Sequence, residues 1–194
     1  DRYVLGELAE LIDAVTISMD AYDLYGACDQ VQRFLDTLTN WYIRRSRDRF
    51  WEGDQDAIDT LHTALILLTR VAAPLLPMVT EQVHTGLTGV GSVHHQDWPS
   101  SADLPRDESL ATGMRRVRDA CSTLLSLRKT EGLRVRLPLA SATLATPDVE
   151  LVQPHIDILR DEVNVKLIHL TDRVADHGTE ELVLLPKALG PRLG

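Results

Sequence analysis

Apolar residues recur at steps of three and four through the first half of this chain, and that spacing allows few folds. Val4, Leu5, Leu8, Leu11, Ile12 and Val15 fall on one helical face, because side chains three and four apart point the same way. Leu24, Ala27, Val31, Phe34, Leu35 and Leu38 repeat the pattern behind Asp23, whose carboxylate suits a helix N-cap. Ile58, Leu61, Leu65, Leu68 and Ala72 form a third stripe. Pro74 and Pro77 interrupt it, with a further turn or two running to about Leu87. Segment 88–105 is dominated by Gly, Ser, His, Asp and Pro and reads as a loop. A fourth long helix is predicted over roughly 107–130, with Val117, Ala120, Cys121, Leu124 and Leu127 on one face. Helices with one apolar face bury it against each other, so 1–132 is predicted to be a four-helix-type bundle.

After Gly132 the period changes. "LPLASATLA" and "VNVKLIHL" read as strands flanking a short helix near 148–161, and "EELVLLP" as a further strand. The predicted fold class is therefore mainly α, with a small α+β subdomain over 133–194. A hydrophobic fraction of 44% is enough to fill such a core. No apolar run reaches the roughly 18–20 residues of a membrane span, and "DRYVLGELAE" has neither the basic head nor the apolar centre of a signal peptide. The expectation is a soluble, cytoplasmic protein with no membrane partner. Cys28 and Cys121 are far apart and embedded in helical patterns, so both are expected to be buried, reduced thiols.

Against a formal charge of −9, "NWYIRRSRDRFW" at 40–51 gathers Arg44, Arg45, Arg47 and Arg49 among large aromatics. At 100° per residue, Trp41, Tyr42, Arg45 and Arg49 extend the stripe of Phe34 and Leu38, while Arg44 and Arg47 point the other way. An unpaired buried charge is very costly, so Arg45 and Arg49 either meet carboxylates or lie where the helix outruns the bundle. Arg128 falls on the apolar face of the fourth helix at its last turn, and Arg134 and Arg136 follow in the connecting loop. Two readings stay open from spacing alone: core aromatics with paired arginines, or a cationic, stackable surface suited to nucleic acid.

The segment also carries a resemblance. "NWYIRRSRDRFW" is similar to the signature of the anticodon-binding domain of isoleucyl-tRNA synthetases. "DRYVLGELAELIDAVT", "AYDLYGACDQVQRFLDTLTNWY", "AAPLLPMVTEQVH", "SVHHQDWP", "LRKTEGLRVRLPL" and "LGPRLG" resemble further stretches of that family, in the same order. The valyl, leucyl and methionyl families share the bundle with fewer arginines at 40–51. The resemblance implies a partner, the anticodon stem-loop of isoleucine tRNA, with the remaining synthetase domains as further partners. Trp41, Arg44, Arg45, Arg47, Arg49, Arg128, Arg134 and Arg136 are the candidate tRNA contacts. Neither a "HIGH"-type nor a "KMSKS"-type motif occurs. ATP and Mg²⁺ are thus expected in a catalytic domain outside this stretch, which is not expected to aminoacylate tRNA alone or to carry a cofactor. A sister synthetase and a helical protein-interaction module are the alternatives.

Other patterns are weaker. His94, His95 and Asp97 lack the spacing of a metal site. Gly86, Gly89 and Gly91 follow no strand and precede no "GKS" or "GKT". No "GxSxG" elbow is present, and no catalytic residue is assigned.

Overall fold

The stripe from Val4 to Val15 lies on α1 (Arg2–Asp20), where Val4, Leu8 and Val15 are completely buried. In α2 (Leu24–Asp36), the Asp23 side chain accepts the Gly26 N–H at 2.9 Å, and Ala27, Val31 and Phe34 turn inward. Helical backbone continues through a π-helical stretch, Thr37–Ile43, into the short α3 (Arg47–Glu52). Gly53, at φ +74°, ends it in the left-handed conformation that glycine adopts at least cost. α4 (Gln55–Ala72) starts from Asp54, whose carboxylate accepts the Ala57 N–H, and α5 (Pro77–Thr88) starts with proline in its first turn. The structure, a computed structural model, describes residues 1–176. "EELVLLP" and "LGPRLG" lie outside them.

Two compact units emerge, Asp1–Ala111 and Thr112 onward. In the first, α1 packs against α2 and α4, and α4 against α5. Phe34, Leu38, Tyr42, Leu68 and Val71 join the α1 stripe in one core. The helix after Pro77 is longer than the turn or two expected from sequence. The buried face of α4 is also displaced from the predicted one: Ala57, Thr60, Ala64, Leu68 and Val71 are inside, while Ile58 is exposed. Alanines on that face let the helices approach closely, and the larger Leu61 and Leu65 pack at its edge. The 89–107 loop is fastened to α1. Trp98 Nε1 donates to Thr16 Oγ1 at 2.8 Å, and Asp13 accepts from Ser101 Oγ and Arg106 Nη2, both at 2.6 Å.

The second unit starts within α6 (Glu108–Thr130), earlier than the composition change at Gly132 that set the boundary expected from sequence. The reason is visible in side chains. A Cβ on Gly113 would stand 2.7 Å from the Leu151 carbonyl oxygen, so α6 seats directly on the following segment. Arg116 Nε meets Asp148 at 2.7 Å, and Arg128 reaches the Val163 carbonyl. β1 (Leu139–Ala145) and β2 (Val165–Thr171) pair in parallel, from Leu139 opposite Val165 to Ala145 opposite Thr171. Parallel strands need a crossover. It is supplied by α7 (Val149–Val152), a 3₁₀ turn at Gln153–His155 and α8 (Ile156–Val163), the single predicted helix being divided at Pro154. Cys121 is a buried thiol outside any disulfide, as expected. Cys28 is free but exposed, because it sits one residue off the Ala27–Val31–Phe34 stripe.

Candidate nucleic-acid interface

The arginine segment is shaped by the π-helical stretch before it. Buried positions run Phe34, Leu38, Tyr42 and Ser46, in steps of four. Ordinary α-helix has 3.6 residues per turn, so a stripe in steps of four drifts off the core face unless a wider turn takes up the extra residues. Thr37–Ile43 is that turn. The phase shift corrects the helical wheel drawn from sequence. Ser46 takes the inward position, and Arg45 is exposed, with its guanidinium carbon 5.3 Å from the centre of the Trp41 ring. That is cation–π geometry. Trp41 itself is 9% exposed and belongs to the core.

Arg49 meets carboxylates, the first of the two outcomes open to a charged residue on the core stripe. Its two terminal nitrogens donate to the two Asp1 oxygens at 2.8 Å each, and Nε donates to Asp54 at 2.7 Å. Tyr42 Oη donates to the same Asp1 carboxylate at 2.7 Å, and burial raises the Tyr42 phenol pKa above its ordinary value. The Asp54 carboxyl is held below the ordinary range, first by its bond to Arg49 and then by the Ala57 N–H. Asp54 thus caps α4 and anchors α3 at once. Arg49 is the clamp between them, with its guanidinium already occupied.

What remains on the surface is a run of cations. Arg44, Arg45 and Arg47 are exposed, and Arg44 Nε donates to the Asn40 carbonyl at 2.9 Å, which props its side chain along the helix. Among the described residues, Arg47 has no ion-pair partner. Three guanidiniums on one short, braced segment can hold phosphates in a fixed pattern.

A family model described as the anticodon-binding domain of tRNA ligase matches residues 1–144. The chain belongs to that family. Its whole length is 56% identical to part of the isoleucine–tRNA ligase of Nocardia farcinica, and 50% and 44% identical to those of Mycobacterium tuberculosis and Tropheryma whipplei. The match covers 100% of this chain but only 18–19% of those relatives, so the chain spans about a fifth of their length.

The remaining arginine candidates of this anticodon-binding domain lie in its second unit, and they have different roles. Arg128 is corrected from a contact to a structural residue. It is 3% exposed, with Nη1 donating to the Val163 carbonyl at 3.1 Å and Nη2 to the Arg134 and Leu137 carbonyls at 2.6 Å each. A buried guanidinium spent on carbonyls offers nothing to a ligand. Instead it holds the 133–137 loop, which Asn164 also grips through its bond to the Val135 carbonyl. The side chains of Arg134 and Arg136 project from that loop and are exposed. His94 sits on a 3₁₀ turn with Nε2 3.2 Å from the Pro77 carbonyl. Among the described residues no three His, Cys, Asp or Glu side chains gather as a metal site would require. Nor is any described helix long and apolar enough to cross a membrane. One residue went unassigned in the sequence: Trp51, at the end of α3, is 85% exposed. Phe50 beside it turns inward, its ring edge-on to Tyr42 at 6.3 Å. No local pattern marked it: Trp41 and Tyr42, adjacent in the same segment, are both buried, whereas Phe50 and Trp51 are split between core and solvent.

Proposed function

We propose that this chain grips the anticodon stem-loop of isoleucine tRNA as the anticodon-binding part of an isoleucine–tRNA ligase, holding the RNA while a catalytic domain elsewhere charges its acceptor end. The observation that carries the reading is the exposed arginine row at 44–47, in a family whose described role is anticodon binding. The isoleucine assignment rests on likeness to isoleucine–tRNA ligases over the full chain. Arg44, Arg45 and Arg47 hold phosphates and the edges of unstacked bases, and in the second unit, taken by itself, exposed Arg134 and Arg136 are the corresponding contacts for RNA backbone. Arg49 and Arg128 act behind the surface, keeping α3 and the 133–137 loop in place. Trp41 acts through Arg45, whose guanidinium it orients. ATP and Mg²⁺ chemistry belongs to the rest of the ligase, in the cytoplasm, and no residue named here is asked to hold them.

The test is binding of the 194-residue chain to an isoleucine anticodon hairpin and a valine one, at two salt concentrations. The isoleucine hairpin is expected to bind more tightly. Replacing Arg44 and Arg47 together by Ala should weaken it at least tenfold and lower the salt dependence by about one to two counterions. Affinity for the isoleucine hairpin unchanged by that double replacement would remove the arginine row from the interface. A partner protein captured with no RNA preference would favour an interaction module instead.

A further inference from the structure

Trp51 is the residue that the clamp, the core and the arginine row leave unexplained. It is 85% exposed, yet it stands on a short helix tied down at several points. Arg49 ties α3 to Asp1 and to the N-cap of α4, Phe50 anchors it in the core, and Ser46 is buried at its start. A large aromatic side chain is therefore presented to solvent from an anchored backbone. Arg47 precedes it by four residues, which places both on one face of the helix.

Exposure alone would not select a ligand, and the same unit supplies the comparison. Tyr22 and Tyr25 are as exposed as Trp51, but no Lys or Arg occurs anywhere between residues 3 and 32, and Asp20 and Asp23 flank them. Trp51 has the arginine row at 44–47 immediately before it. Asp48 and Glu52, also exposed on α3, oppose a phosphate placed over the ring itself. What suits the position is a flat, uncharged, polarisable surface joined to a phosphate about one helical turn away. A nucleotide with an unpaired base has that form, and every base offers a face to an aromatic ring.

We propose that Trp51 is the stacking platform for one unpaired base of the RNA loop, with Arg47 holding the adjoining phosphate. The assignment rests on the RNA-binding reading above and adds a contact of a different kind. The arginines position the strand, whereas Trp51 requires a base that is out of the stack, so it distinguishes a loop from a duplex.

The experiment measures affinity of the 194-residue chain for the isoleucine hairpin, for the same hairpin with single abasic sites through the loop, and for a blunt duplex of equal length. Trp51→Ala should weaken the hairpin by roughly tenfold and leave the duplex unchanged, while Trp51→Phe should stay within about threefold of the unaltered chain. One abasic position should abolish the Trp51→Ala effect. Arg47→Ala should weaken hairpin and duplex alike, and Tyr25→Ala neither. Hairpin binding untouched by Trp51→Ala, an equal loss on the duplex, or no abasic site that couples to it would overturn the platform while leaving the RNA reading intact. A chain that binds no hairpin at all would overturn both.

Discussion

Arg49 shows how one residue can look like a ligand contact and act as a joint. Its charge on a core stripe left two outcomes, carboxylate partners or a place beyond the end of the bundle, because an unpaired charge cannot face apolar side chains. Which carboxylates was not readable: Asp1 lies 48 positions away in sequence, and Asp54 follows a glycine turn. Arg128 was misplaced for a related reason. Periodicity located it on the apolar face of α6, but the carbonyls that receive it come from a loop and a helix end, which have no period. Arg49→Ala is expected to lower the thermal midpoint by about 2–4 °C, a modest loss because the pair is partly solvated. Arg49→Lys should recover little, since an ammonium cannot bridge two carboxylates as a guanidinium does. Circular dichroism melts of the three proteins check this, and a Lys variant as stable as the unaltered chain would refute it.

Among the elements, those with a strong period were legible and those held by single side chains were not. α1, α2, α4 and α6 fall close to their predicted spans, and both described strands were placed. The 89–107 loop was correctly irregular, yet its order comes from bonds that no local pattern announces. Glu81 on α5 is one of these: it accepts the Val93 N–H at 2.9 Å and Ser92 Oγ at 3.0 Å. Its carboxyl is held below the ordinary value of 4.5, chiefly by the Val93 N–H and further by Ser92, with His94 and His84 adding charge. A depressed carboxyl stabilises the folded state above its ordinary pKa and ceases to do so as pH falls through the lower folded value. Hydrogen exchange should therefore find Val93 protected above pH 4.5 and exposed on further acidification, before the core opens. Glu81→Ala should leave that amide unprotected at every pH. Protection that survives acidification in step with the core would rule this fastening out.

For the whole molecule, a formal charge of −9 stands against a local arginine row at 44–47. If the row holds RNA as proposed, acidic flanks would restrict where it settles, and placement would come from repulsion as well as attraction. The bundle itself was legible from helical spacing, whereas the orientation of its arginine surface was not, because a wheel turned at a constant 100° cannot anticipate the wide turn at Thr37–Ile43. That turn makes the count of residues as informative as their identity. Inserting one alanine after Thr39 would exceed what the wide turn takes up, and everything from Arg44 onward would rotate by about 100°. Helix content would hold or rise, while Arg49 swung away from Asp54 and the arginine row faced elsewhere. The expected result is an unchanged far-ultraviolet spectrum with hairpin affinity lost. Such a variant would contain every side chain assigned to the surface and still fail, since what the insertion takes away is phase.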